Sequence, residues 1–143
     1  MTKVEKSALV GYSNHQMFDL VKNIESYPQF MDGCRSAKIL ESGEDFVVAS
    51  LELGKGKISQ AFTTRNTMIE PDSINLELVD GPFKYFRGFW SFTALEAHAC
   101  KVHLRLEFEF KNKLIAMAAG KFFESVANDQ VDALCKRAKQ IYG

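Results

Sequence analysis

Cys100-Lys101-Val102-His103-Leu104-Arg105-Leu106-Glu107-Phe108-Glu109-Phe110-Lys111 alternates without a break, and that alternation decides the fold. Cys100, Val102, Leu104, Leu106, Phe108 and Phe110 point one way; the intervening Lys, His, Arg and Glu residues point the other. A period of two gives a strand one dry face and one wet face. Just upstream, Val79-Asp80-Gly81-Pro82-Phe83-Lys84-Tyr85-Phe86-Arg87-Gly88-Phe89-Trp90-Ser91-Phe92 carries aromatic residues on both faces, with a Gly-Pro turn near its start. That richness predicts a strand that lines something besides an ordinary core.

The same rhythm of strand and turn extends back to Cys34. It predicts strands over Arg35–Glu41, Phe46–Leu53, Lys57–Ile69, Ser73–Val79, Tyr85–Leu95 and Ala99–Lys111. The breaks are Ser42-Gly43-Glu44, Gly54-Lys55-Gly56, Pro71-Asp72, Gly81-Pro82 and Ala97-His98, each with ordinary turn chemistry. Short connections in series imply an antiparallel meander. Thr2–Val10 reads as a further strand, with Val4, Ala8 and Val10 on one face.

Two helices flank these strands. Ser13-Asn14-His15-Gln16 matches a capping box with Ser13 as N-cap, and Tyr12 with Met17 fits the accompanying hydrophobic staple. A short helix then runs from Asn14 to about Asn23 and is ended by Tyr27-Pro28-Gln29-Phe30, because Pro28 restricts Tyr27 away from helix; a second helical turn before Asp32-Gly33 would make two short helices after the first strand. Asn112 is the N-cap of a final helix over Leu114–Tyr142, about 43 Å long at 1.5 Å per residue. Its predicted apolar stripe is Ile115, Ala118, Phe122, Val126, Leu134, Ala138 and Ile141. Gly120 predicts a kink or a close backbone approach.

A curved antiparallel sheet must bury its concave face, and the long helix is the only element able to cover it. The expected fold is α+β: a helix-grip sheet of about seven strands around the C-terminal helix, as one domain over residues 1–143.

Composition bounds the partners. The 143 residues carry a formal net charge of +0, so no electrostatic footprint for DNA stands out, although a ribosomal partner stays open. Cys34, Cys100 and Cys135 are widely spaced, which fits a reducing compartment and speaks against zinc. The N-terminal residues lack the apolar core of a signal peptide and no apolar run approaches transmembrane length, so a cytoplasmic location is expected.

The aromatic strand admits two readings: core packed beneath the final helix, or the wall of an apolar pocket. Gly88, Ala94, Ala118, Ala119 and Gly120 favour the pocket, as small residues opposite bulky ones leave volume unfilled. The expected lining is Phe62, Leu76 and Leu78, then Phe86, Trp90 and Phe92, then Leu104, Leu106 and Phe108. Ala118, Phe122 and Val126 complete it from the helix. Tyr27, Pro28 and Phe30, with Pro82 and Phe83, form either a mobile entrance or two ordinary turns. Gln60 and Thr64 share the Phe62 face and either orient a polar headgroup or are solvated strand ends.

Catalytic signals are weak. His15, His98 and His103 fall on a helix start, a turn and a wet strand face, without metal-ligand spacing. No nucleophile elbow occurs, and Gly54-Lys55-Gly56-Lys57 is a hairpin turn rather than a phosphate loop. The expectation is a non-catalytic protein with no metal and no required cofactor. Lys136, Arg137 and Lys139 complement the dipole of the last helix or meet rRNA or an anionic membrane surface.

Several motifs together resemble a known family. They are Tyr27-Pro28-Gln29-Phe30 followed by Gly33-Cys34, Phe62-Thr63-Thr64-Arg65-Asn66, and Leu78-Val79-Asp80-Gly81-Pro82-Phe83-Lys84. Gly88-Phe89-Trp90-Ser91-Phe92, Phe108-Glu109-Phe110 and Asn112-Lys113-Leu114-Ile115 continue the set. The chain resembles the START-like, polyketide cyclase/dehydrase-type superfamily, in the branch holding coenzyme Q-binding proteins and bacterial ribosome association toxins. The resemblance implies a helix-grip fold with a hydrophobic cavity that binds ubiquinone or a similar isoprenoid lipid in support of respiration. Its alternative implication is binding to the large ribosomal subunit, which blocks joining to the small one. A transient membrane contact is a further expectation.

Overall fold

The computed structural model describes residues Met1–Gly143. The alternating run becomes the dominant strand: Cys100, Val102, Leu104, Leu106 and Phe108 are all buried, while Lys101 and Arg105 are exposed. In chain order the elements are β1 (Thr2–Val10), α1 (Asn14–Lys22), a 3-10 helix (Ile24–Gln29), β2 (Cys34–Ser42) and β3 (Phe46–Lys55). Then follow β4 (Ile58–Ile69), β5 (Ser73–Asp80), β6 (Phe83–Glu96), β7 (Ala99–Phe110) and α2 (Lys113–Tyr142). The strands form one seven-stranded antiparallel sheet in the order β1-β7-β6-β5-β4-β3-β2. β2 to β7 are therefore a meander, and β1 closes on β7 with Thr2 opposite Phe108 and Val10 opposite Cys100. The strands begin and end within a few residues of the sequence expectation.

Local chemistry explains the helix starts. The Gln16 amide donates to Ser13 Oγ at 3.1 Å and the Ser13 amide donates to Gln16 Oε1 at 2.9 Å, a complete capping box. At α2 the Ile115 amide donates to Asn112 Oδ1 at 2.9 Å. The Tyr12 ring lies tilted against Tyr142 at 5.8 Å, which ties the start of α1 to the end of α2. The second short helix forms, but it starts at Ile24, earlier than expected. Instead of breaking the chain out of helix, Tyr27 and Pro28 lie inside the 3-10 helix. A ladder of short i→i−3 bonds loses one rung to the missing proline N–H, and the Phe30 and Met31 amides both reach the Tyr27 carbonyl at 3.2 and 2.8 Å.

α2 spans 30 residues and packs on β1, β7 and α1, while the 3-10 helix packs on β2. Its buried side is Ala119, Phe123, Val126, Ala127, Val131, Leu134 and Ala138. The expected stripe was set one residue off in the first half: Ala118 is exposed and Phe122 only half-buried. Phe123, not Phe122, turns in because it stacks edge-on against Phe62, Phe83 and Phe110. Ile141 is also exposed. Gly120 lies above the Phe110 ring, which would stand 3.8 Å from a Cβ there. No helix is long and apolar enough to cross a membrane.

Candidate functional site

Between the concave sheet face, α1, the 3-10 helix and α2 lies a cavity of about 50 Å³. Its sheet wall is Val47, Ala49 and Leu51 of β3, Phe62, Thr64, Asn66 and Met68 of β4, Ile74 and Leu76 of β5, Phe86 and Trp90 of β6, and Leu106 of β7. Val21, Ile24 and Tyr27 close one side, and Gln130 of α2 faces it from the other. A second void of about 30 Å³ lies beside it, among Phe83, Phe108, Phe123 and Val126. Neither approaches the roughly 300–1,000 Å³ of a small-molecule site. The space expected beside Gly88 is taken: a Cβ there would stand 2.6 Å from Leu106 Cδ2 and 2.7 Å from Leu76 Cδ1. A knot of rings fills the rest: Phe62 and Phe83 touch each other, and each touches both Phe86 and Phe123. Bulky residues here interdigitate into the gaps left by small ones.

The polar part of the wall is compact. Thr64 Oγ1 donates to Asn66 Oδ1 at 2.7 Å, and both side chains are buried. Gln60, on the same strand face, does not join them, because it sits opposite Leu53 beyond the cavity. Asn66 and Gln130 were not among the expected site residues, although Asn66 shares the Phe62 face of β4. At the rim, Lys22 Nζ pairs with Glu70 Oε1 at 2.9 Å, bridging the end of α1 to the turn after β4.

The other expected residues scatter. Phe62, Leu76, Phe86, Trp90 and Leu106 line the cavity, whereas Phe108 and Val126 border the smaller void and not the cavity. Phe92 and Leu104 are buried in packed core, with Phe92 stacked on Trp90 at 6.1 Å and edge-on to Phe18 at 5.6 Å. Leu78 is half-buried beside Gly81, and Phe122 lies against Gly33. Ala118 faces solvent and lines nothing. Pro82 and Phe83 form no mouth: both are buried, and Phe83 is the hub of the aromatic knot. Tyr27 is likewise fixed, its hydroxyl donating to the Val21 carbonyl.

Pro28 and Phe30 instead border an open outer groove of about 510 Å³ with the second half of α2. Arg137 Nη2 donates to Gln29 Oε1 at 2.8 Å and its guanidinium lies 5.3 Å from the centre of the Phe30 ring. Asp129 and Asp132 share the groove with Lys136, so its charge is mixed. Arg137 is thereby a structural clasp rather than a free member of a basic cluster.

Titratable groups do not converge on the cavity. His103 Nε2 meets Glu5 Oε2 at 2.9 Å on the outer sheet face, and no group of three or more His, Cys, Asp or Glu is gathered as for a metal ion. Burial pushes the Cys34 thiol from 9.0 up to about 11, against a smaller opposing effect of the Ser36 backbone. Burial also drives the neighbouring Tyr27 hydroxyl far above the ordinary tyrosine value, with Cys34 adding in the same sense. Both groups stay neutral in the folded state while the unfolded chain ionises first. The folded state thus holds more protons, and their contribution to stability falls as pH rises from 9 towards 11. Urea midpoints taken across that window should decline, and less steeply in Cys34→Ala; equal slopes would remove Cys34 as a source.

Residues 10–135 match the family model described as polyketide cyclase / dehydrase and lipid transport. The chain belongs to that family. Among curated members it is 49% identical over 143 residues to the ribosome association toxin RatA of Vibrio cholerae serotype O1, covering 100% of this chain and 99% of that one. It is 28% identical over 142 residues to the mitochondrial coenzyme Q-binding protein COQ10 homolog B of Xenopus laevis, covering 96% of this chain and 58% of that one. The Zhui aromatase/cyclase of Streptomyces sp. R1128 superimposes with a TM-score of 0.81 over 97% of this chain and 94% of that one. At 17% identity this last likeness speaks for the shared START-like helix-grip fold alone.

Proposed function

We propose that this polyketide cyclase/dehydrase-family protein acts by associating with the ribosome: it binds the large subunit and keeps the small one from joining. The full-length 49% identity to a ribosome association toxin carries this reading. The filled interior supports it, since a protein with voids of about 50 and 30 Å³ works through its surface. Binding, not bond-making, is the proposed activity. After induced expression, sucrose gradients should show joined ribosomes falling, free subunits rising, and the protein sedimenting with the large subunit. Unchanged joined ribosomes, with the protein left at the top of the gradient, would overturn it.

A second reading places an isoprenoid quinone in the cavity. One feature favours it: Thr64, Asn66 and Gln130 bring hydrogen-bonding groups to an otherwise apolar wall. A cavity that takes benzene measures about 150 Å³, so a quinone ring enters only if α2 or the 3-10 helix moves away. A short-chain ubiquinone should then raise the melting temperature of the wild type and not of Thr64→Val. No shift at saturating quinone would remove this reading.

A further inference from the structure

The first two turns of α2 present an anomaly in the distribution of apolar side chains. Leu114 and Met117 are 78% and 83% exposed, although both are large and apolar. No residue before Ala119 in this helix is buried. At 100° per residue, Lys113, Met117, Lys121 and Leu114 share the side of the helix turned away from the sheet. Lys113 also borders a surface groove with Lys84 of β6, Lys111 and Ala116, where Glu109 is the single carboxylate. None of these four lysines takes part in an ion pair; the two in the molecule, Lys22–Glu70 and His103–Glu5, lie elsewhere.

We infer that this helix tip docks on an anionic lipid bilayer, with Leu114 and Met117 inserted among the acyl chains and Lys84, Lys111, Lys113 and Lys121 on the lipid headgroups. The chemistry favours a bilayer over the other partners a basic patch can have. Nucleic acid offers phosphates to the lysines but no apolar medium for two extended aliphatic side chains. A bilayer with acidic headgroups supplies both, at the depth an interfacial helix reaches. The lysine stems are long enough to lie along the apolar surface with their ammonium groups at headgroup level.

Vesicle flotation tests this with the full-length protein. Phosphatidylethanolamine vesicles with about 30% phosphatidylglycerol should carry the wild type upward, and pure phosphatidylcholine vesicles should not. L114E/M117E should abolish flotation while its melting temperature stays at the wild-type value, because both side chains are exposed. K111E/K113E should weaken binding by about tenfold or more, and added salt should weaken the wild type in the same direction. A wild type that ignores the anionic vesicles, or an L114E/M117E protein that floats unchanged, overturns the inference. Loss of ribosome co-sedimentation in L114E/M117E, without any vesicle binding by the wild type, also overturns it and makes the tip a ribosomal contact. Ribosome association intact in both variants, with flotation lost, supports two separate surfaces.

Discussion

Phe83→Ala should destabilise the protein by about 3–5 kcal/mol, a drop in melting temperature of roughly 10–20 °C. Phe83 is 3% exposed and its ring centre lies 5.1 Å from Phe86 and Phe110, 5.5 Å from Phe62 and Phe123, and 5.9 Å from Phe108. Five rings from β4, β6, β7 and α2 therefore lose a shared neighbour at once. The edge-on and offset arrangements add to plain area burial. The gap left behind adjoins the void of about 30 Å³, so little relaxation is available to close it. Urea or thermal unfolding of Phe83→Ala, beside Val79→Ala on the exposed side of β5, measures the difference. A loss under about 1 kcal/mol would show that the ring is not the hub described.

Gly81→Ala should rank next, at about 2–4 kcal/mol. Gly81 has φ +154°, and a Cβ there would stand 2.6 Å from Phe62 Cβ and 3.3 Å from Phe62 Cα. Neither atom is the movable end of a side chain, so backbone would have to shift. Gly56 separates the two contributions. It has φ +61° in the β3–β4 hairpin with nothing within 4 Å of a Cβ, so Gly56→Ala should bear only the conformational cost of about 1–2 kcal/mol. Similar losses in the two variants would mean that the contact with Phe62 is harmless.

Most of the architecture was legible in the sequence, for reasons that are local. Strand alternation, the Ser13–Gln16 capping box and the Asn112 cap act over a few residues, and each is realised where the pattern placed it. The helix face was not legible in the same way. Ala118-Ala119 and Phe122-Phe123 are apolar doublets, so two stripes one residue apart fit the helical period equally well. The choice between them is tertiary: the sheet offers the Phe83 knot to Phe123, whereas Phe122 meets Gly33 in the turn before β2.

The candidate site was harder still. Side-chain type told which faces are apolar, and Phe62, Leu76, Phe86, Trp90 and Leu106 do meet around one cavity. Its volume depends on contacts of a few tenths of an ångström, such as Leu76 and Leu106 reaching over Gly88, which composition does not encode. Alternation alone gave Gln60 and Thr64 equal standing; the cavity reaches Thr64 and its strand neighbour Asn66 but stops short of Gln60.

The pairing of β1 with β7 has a consequence for synthesis. Thr2 finds its partner only at Phe108, and α2 comes later still. β1 therefore waits, unpaired, until β7 has been synthesised. Long-range closure of this kind is slow. A nascent copy consequently lacks a closed sheet until β7 has been made.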